Sequence, residues 1–227
     1  MSCARLIVGR DSGIGKALEL KFRNTAAPLF TTTRREDSDE SFDFDANSLS
    51  LPKSLLEDIS IYDEIQLFLC IGTIGKQSSI DNVARQDFEQ ALLINALYIT
   101  AILKSLLSMN SVKSLRVVHY GTAAANKPYF GWSTYCVSKA AASMLLRCFD
   151  FEYQSKDNIL NIIEINPGAV DTHMQHQIRD AALNKVAFRN SYNSPKYVAE
   201  NTKNILDDPK YRLGYHFISL NEYAKKN

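Results

Sequence analysis

Tyr135 and Lys139, four residues apart in Tyr135-Cys136-Val137-Ser138-Lys139-Ala140-Ala141, are the side chains of this sequence best suited to moving a proton. On a helix, residues at i and i+4 share a face, so the phenol and the ammonium would project into one site. A free phenol titrates near ~10, too high for ready exchange at neutrality, and a neighbouring cation stabilises the phenolate and lowers that value. The pair could then act as general acid or base at a substrate oxygen. The same spacing also describes a lysine stem lying along an aromatic ring on any amphipathic helix. What surrounds the pair in the sequence separates the two readings.

The first surrounding feature is Gly9-Arg10-Asp11-Ser12-Gly13-Ile14-Gly15, placed between the apolar Ala4-Arg5-Leu6-Ile7-Val8 and the helix-like Lys16-Ala17-Leu18-Glu19-Leu20-Lys21-Phe22. Glycine lacks Cβ and accepts positive φ, so such a turn lets the backbone bend sharply and a pyrophosphate come close. The following helix offers its unpaired N–H groups to the phosphate charge. Strand before and helix after is the context a dinucleotide-binding turn requires. Gly9, Arg10, Ser12, Gly13, Ile14 and Gly15 are therefore candidate cofactor contacts.

These residues need a scaffold, and the chain supplies an alternation. Leu6 to Val8, Leu29 to Thr33, Ile65 to Ile71, Leu115 to Tyr120, Ile159 to Ile165 and Tyr215 to Ile218 read as strands, with helical patterns between them. Phe42-Asp43-Phe44-Asp45, with acids alternating with phenylalanines, reads as a short strand at a less buried edge. Buried strands that read as continuous apolar runs, joined by helical crossovers, specify an α/β fold with a mainly parallel sheet covered on both faces. The expected architecture is one doubly wound domain over residues 1–227 with about seven strands. Arg34 to Ser41 is too short for a confident crossover helix, and Thr172 to Ser194, polar and set between a Pro-Gly turn and Pro195, is expected to form a loop or lid.

The GxxxGxG spacing at Gly9, Gly13 and Gly15, followed far downstream by the YxxxK of Tyr135 and Lys139 with its flanking Ser-Lys-Ala-Ala, resembles the short-chain dehydrogenase/reductase family. The resemblance spans nearly the whole chain and implies a Rossmann domain that transfers hydride between a nicotinamide cofactor and a carbonyl or alcohol. It implies that Tyr135 is the general acid in carbonyl reduction, or the base in reverse, while Lys139 tunes the phenol and holds the nicotinamide ribose. Thirteen residues before Tyr135, where the family usually has serine, stands Thr122, whose hydroxyl could bond a developing oxyanion although its methyl restricts χ1. Ser133 is a weaker substitute and reads as the cap of the catalytic helix. Asn95, in the apolar helix Phe88 to Leu107, would complete an Asn-Ser-Tyr-Lys set by bending its helix and holding a water near the lysine; an amide satisfied by neighbouring backbone is the plainer alternative. Asn166-Pro167-Gly168-Ala169-Val170-Asp171-Thr172 resembles the family's PGxVxT segment, which places Pro167, Gly168, Val170 and Thr172 beside the cofactor. The family's NNAG segment survives only as Gly72, and the C-terminal strand lacks the usual Asp-Gly-Gly ending.

Cofactor choice is read at the end of the second strand, where an NAD enzyme usually places a carboxylate about twenty residues beyond the glycines. Here the strand ends Thr33-Arg34-Arg35, and a guanidinium at Arg34 would pair with the 2′-phosphate of NADP. NADP(H) is the expected cofactor; Glu36 or Asp37 could instead do the NAD-type work from a longer loop. Asp45, with Asp43 competing, matches the family position that meets the adenine edge.

The totals set outer bounds. With 26 basic against 25 acidic residues and a net charge of +1, no whole-molecule field gathers nucleic acid or an anionic membrane. The scattered Cys3, Cys70, Cys136 and Cys148 show no CxxC pair or metal-ligand spacing, so neither a metal site nor a disulfide framework is expected, and reduced thiols suit a cytoplasmic setting. No uninterrupted apolar run approaches the roughly 18 residues of a membrane span, and no leader pattern precedes the first strand. The expected partner is a small carbonyl or alcohol substrate, with a homodimer or homotetramer expected from the resemblance. The competing reading is a dinucleotide sensor of the same fold with little turnover.

Overall fold

The protein is described from a computed structural model that covers residues 2–34, 41–48, 50–154, 160–181, 183 and 191–225. Seven strands form one sheet: β1 (Cys3–Val8), β2 (Leu29–Thr33), β3 (Phe42–Asp43), β4 (Glu64–Leu69), β5 (Ser114–Tyr120), β6 (Leu160–Asn166) and β7 (Gly214–Ser219). Their order is β3-β2-β1-β4-β5-β6-β7, and every pairing is parallel. The order reverses between β1 and β4, and ligands of such sheets bind in the crevice beyond the strand C-termini at that point.

Alternate residues of each strand face opposite layers. Leu6, Val8, Leu67, Leu69, Val117 and Ile162 pack into one core under α2 (Lys53–Ile59), α4 (Tyr98–Leu107) and α5 (Ser133–Tyr153). Ile7, Phe68, Val118, Ile163 and Ile165 pack into the other, under α1 (Gly13–Phe22), α7 (Pro195–Asp207) and the C-terminal α8 (Leu220–Tyr223). Each fully buried aliphatic side chain contributes roughly 1.5–3 kcal/mol of transfer free energy, so both faces are driven shut by the sheet's own residues. Two inward positions of the α5 face break the apolar pattern, His119 on β5 and Glu164 on β6, which are register neighbours and fully buried.

Several expectations change. The edge strand is only Phe42–Asp43, because only those residues pair with Thr32 and Thr33 of β2. The presumed lid contains a helix, α6 (His173–Ala181), hidden in the sequence because only Gln175 and Ile178 of it are buried; residues 182 and 184–190, like the connection at 35–40, lie outside the described residues. Trp132, not Ser133, occupies the N-cap position of α5, with no capping side-chain bond, and Ser133 is the first residue of the helix. Residues 85–107 form one rod, α3 (Arg85–Leu92), a π-helical turn at Leu93–Leu97 and α4. By length and composition that rod is apolar enough to cross a membrane, which the absence of an uninterrupted apolar run conceals. Its Tyr98, Ile99, Ile102, Leu103 and Leu106 are buried in the core, which explains the apolarity.

Candidate active site

A cavity of about 720 Å³ opens at the C-terminal edge of the sheet, over the reversal between β1 and β4. Gly9, Ser12, Gly13 and Ile14 line one end of it. Gly9 and Gly13 have φ of 90° and 55°, a region other L-residues rarely enter. A side chain on either would also be crowded: a Cβ on Gly9 would lie 2.9 Å from Ile71 Cγ1, and one on Gly13 would lie 3.1 Å from Thr172 Cγ2. This bare backbone at the start of α1 fits a pyrophosphate. Gly15 does not line the cavity; its missing Cβ lets the helix pack against the Gly9 carbonyl. Arg10 is likewise turned away, its Nη1 2.9 Å from Glu19 Oε1 on α1. Gly9 N donates to Thr32 Oγ1 at 3.1 Å and Arg10 N to Thr32 O at 3.1 Å, which ties the turn to β2.

Near the end of β2, Arg34 and Asp45 line the cavity, whereas Asp43 is exposed and does not. Arg35, Glu36 and Asp37 lie outside the described residues. Asp11, which the sequence reading passed over, also lines this end; its carboxylate accepts from the Thr33 hydroxyl and, at 3.3 Å, from Arg34 N. Its place between the glycines was the available sign. Pro167, Gly168, Val170 and Thr172 form a wall further along, with the turn set by Gly168 at φ 72° and by Asn193 Nδ2 donating to Pro167 O at 2.7 Å.

The catalytic candidates meet where β4, β5 and α5 approach one another. Tyr135, Thr122, Lys139, Asn95 and Gly72 all line the cavity. Burial pushes the Tyr135 phenol up to about 12, and a hydrogen bond with the Thr122 hydroxyl opposes that rise. Thr122 also accepts from Ala124 N at 3.2 Å, so it caps the short turn after β5 while facing the phenol. Lys139 Nζ donates to Tyr120 O at 2.7 Å and stands 3.2 Å from His119 Nε2. Burial lowers its ammonium to about 8, and the Glu164 charge opposes the fall. Asn95 sits in the π-helical turn, fully buried, and its amide is spent on protein: Thr73 N donates to its Oδ1 at 2.8 Å, while its Nδ2 donates to Thr73 O at 2.9 Å and Ser138 Oγ at 2.8 Å. It thereby ties the loop after β4 to α5.

The remaining wall is apolar. Ile74 and Ile178 are buried with Met174, Trp132 and Tyr135 packed on them, and Trp132 meets Tyr135 edge-on at 6.1 Å and Tyr129 at 5.2 Å. Tyr129, Trp132, Met174, Ile178 and Ile94 all line the cavity. They come from separate segments of the chain, and no spacing in the sequence announced them; the lone tryptophan three residues before Tyr135 was the one sign.

The sequence pattern of the family described as short chain dehydrogenase matches residues 4–183. A benzil reductase ((S)-benzoin forming) of Bacillus cereus is 25% identical over 242 residues, covering 92% of this chain and 96% of the relative. The same-named protein of Bacillus subtilis (strain 168) is 35% identical over 100 residues, 40% of this chain and 41% of that one. Among solved structures, ElxO with NADP bound superposes with a TM-score of 0.79 at 17% identity, covering 97% of each chain.

Proposed function

Because this chain belongs to the short-chain dehydrogenase/reductase family and is an oxidoreductase of the CH–OH/C=O pair, we propose that it reduces a bulky, aromatic ketone with NADP(H). The observation that carries this reading is the convergence of Tyr135, Thr122 and Lys139 on one cavity whose far end is the bare glycine turn. The aromatic and aliphatic wall of Tyr129, Trp132, Ile94, Met174 and Ile178 supports the substrate class, as does the likeness to reductases named for benzil, a diaryl diketone.

Gly9, Ser12, Gly13 and Ile14 would hold the pyrophosphate, Asp45 the adenine edge, and Pro167, Gly168, Val170 and Thr172 the nicotinamide side. When bound, the nicotinamide supplies the hydride; placement and proton handling belong to the protein. The Thr122 hydroxyl bonds the carbonyl oxygen and stabilises charge developing there. Tyr135 gives its phenolic proton to the same oxygen. Lys139 supplies the positive charge that makes the resulting phenolate tolerable in a buried site and holds the ribose. Asn95 fixes the loop at Thr73 against Ser138, one residue before Lys139.

Arg34 favours the 2′-phosphate of NADP, while the nearby Asp11 carboxylate is the feature that would suit NAD. Replacing Arg34 by Ala should weaken NADPH binding about tenfold and NADH binding by less than about twofold, the loss of one charge-assisted contact. Equal effects on the two would remove the NADP preference. The chain is read as one domain over 1–227, cytoplasmic in keeping with its four free thiols. Exposed Val137, Met144 and Phe151 recur at seven-residue spacing along α5, which supports a homodimer or larger homo-oligomer joined there.

The phenol held near 12 is the observation on the side of the dinucleotide sensor with little turnover. Titration with NADPH by fluorescence, then NADPH oxidation with benzil and simpler aldehydes and ketones, separates the two. Tyr135→Phe should keep NADPH affinity within about threefold and cut turnover roughly 100- to 10,000-fold, the range of a general acid. Absence of micromolar NADPH or NADH binding would sink the enzyme and the sensor together; tight binding without turnover across the panel would favour the sensor.

A further inference from the structure

The proposed chemistry uses Lys139 but leaves unexplained what lies behind it. His119 and Glu164 stand side by side on β5 and β6, at positions where the other inward residues of these strands are Val117 and Ile162. They are 1% and 0% exposed. Burying ionisable groups in an apolar layer is costly, and a carboxylate there needs donors and a counter-charge. Glu164 has the donors: its Oε2 accepts from Ser143 Oγ at 2.8 Å and from Tyr215 OH at 2.6 Å. Its other oxygen, Oε1, faces His119 Nδ1 at 3.4 Å, and neither of these two atoms has a closer partner. On the far side of the imidazole, Nε2 lies 3.2 Å from Lys139 Nζ.

We propose that Glu164 is the fixed counter-ion of Lys139, acting across a neutral His119 whose imidazole holds the ammonium at the back of the active site. An ammonium only donates, so His119 Nε2 must accept and the imidazole proton resides on Nδ1, aimed at Glu164 Oε1. Lys139 is thus held by two acceptors, His119 Nε2 and Tyr120 O. The backbone is shaped for this arrangement. Gly121, between Tyr120 and Thr122, has no Cβ because that space is filled by the Glu164 side chain: a Cβ there would run into its Oε1 and lie 2.8 Å from its Cγ. One carboxylate thus packs under the residue preceding Thr122 and answers the charge of Lys139.

Electrostatics agree with the geometry. Burial, with the Lys139 charge beside it, takes the His119 imidazole down to about 4, so it is neutral at working pH. Burial opposes ionisation of Glu164, but His119, Tyr215 and Ser143 hold it well below the ordinary carboxylate range. Among the described residues, the other titratable groups that reach this set are Tyr215 on β7, bonded to Glu164, and the exposed Arg147 on α5, whose charge reaches Tyr215; Tyr135 lines the same cavity as Lys139. His119 and Glu164 are positioning residues, since neither lines the cavity.

The test uses the full-length protein and rests on the reductase reading in only one of its two arms. In the first arm, imidazole ¹⁵N and lysine ¹³Cε resonances of the cofactor-free protein are followed by NMR. His119 should show the Nδ1–H tautomer without titrating between about pH 5 and 9, and Lys139 should titrate near 8. An Nε2–H tautomer, or His119 titrating near its ordinary value, overturns the proposal whatever the activity, and needs no variant to fold. In the second arm, Glu164→Gln keeps the shape and removes the charge. Loss of a nearby anion lowers the Lys139 pKa further, so the ammonium should be lost about one pH unit earlier as pH rises, in the NMR titration and in the alkaline limb of kcat/KM for NADPH-dependent benzil reduction. A uniform loss at every pH with the limb unmoved would mark Glu164 as structural and overturn the proposal. No turnover in the wild type would defeat the reductase reading alone, because the NMR arm still decides this one.

Discussion

Glu19, on helix α1, and Glu164, on β6, are both buried carboxylates on opposite faces of the sheet, and both are held below the ordinary acidic range, yet they are neutralised in different ways. Burial opposes the charge on Glu19, but hydrogen bonds from Lys16, Arg23 and Arg10 overcome it and hold the group at about 2. The side chains of Lys16 and Arg23 are 47% and 49% exposed, so three cations wrap one anion and remain partly hydrated. Among the described residues Glu164 has no cation in contact; its partners are two hydroxyls and a neutral imidazole, with the Lys139 charge one residue further on. The first arrangement spends its cations on stability. The second leaves its cation directed at the cavity, so one sheet carries a closed ion cluster on one face and one that opens on the cavity on the other.

Each face also has a glycine that makes room for a close neighbour, the Gly9 carbonyl on one and the Glu164 side chain on the other, and these give the sharpest way to break the comparison. On the Glu19 face, a Cβ at Gly15 would strike the Gly9 carbonyl, which is backbone and cannot yield without moving the phosphate-binding turn. Gly15→Ala should therefore weaken NADPH by more than about 100-fold and destabilise the fold by roughly 4 kcal/mol, in the range of severe overpacking. Calorimetry for stability and fluorescence titration for binding measure the two; wild-type affinity in this variant would mean that the turn is not where the cofactor sits.

Glu19→Gln should produce the next largest effect, and on stability alone. The folded pKa of Glu19 lies below its unfolded value of 4.5, so its contribution is fully present above about pH 4.5 and lost as pH falls toward 2. The shift corresponds to about 3 kcal/mol at neutral pH. Urea unfolding should show that loss in the variant at pH 7, with a flatter decline between about pH 5 and 2, while turnover of the folded protein changes less than about twofold. A pH-dependent change in turnover would erase the contrast with Glu164.

How much of this was legible in the sequence follows from the same physics. The strands could be read because a parallel sheet covered on both faces demands unbroken apolar runs, and Leu29–Thr33 emerged with its bounds unchanged. The glycine turn and the Tyr135/Lys139 pair could be read because each is a local spacing. The apolar wall of the cavity could not, since Tyr129 and Trp132 before α5 meet Met174 and Ile178 of α6 only after two separate connections fold together. Helix α6 stayed hidden because a mostly exposed helix needs few apolar residues. His119 and Glu164 were visible as polar interruptions in two apolar strands, but their adjacency depends on the β5–β6 register, which neither strand encodes alone.

The smallest predicted effect probes that adjacency most directly. Gly121→Ala meets not backbone but the Glu164 side chain, which must shift against its bonds from Ser143 and Tyr215, so the fold should tolerate it at a cost of about 2 kcal/mol. The displaced carboxylate would leave His119 and Lys139 without their anion, and kcat/KM above pH 8 should fall about tenfold, with a smaller change below pH 7. In a Glu164→Ala background the obstructing side chain is gone and the alanine Cβ has space. The same substitution should then cost little further stability, a coupling of about 1 kcal/mol or more in the double-mutant cycle. Simple additivity would mean that Gly121 is glycine for some reason other than the carboxylate packed against it.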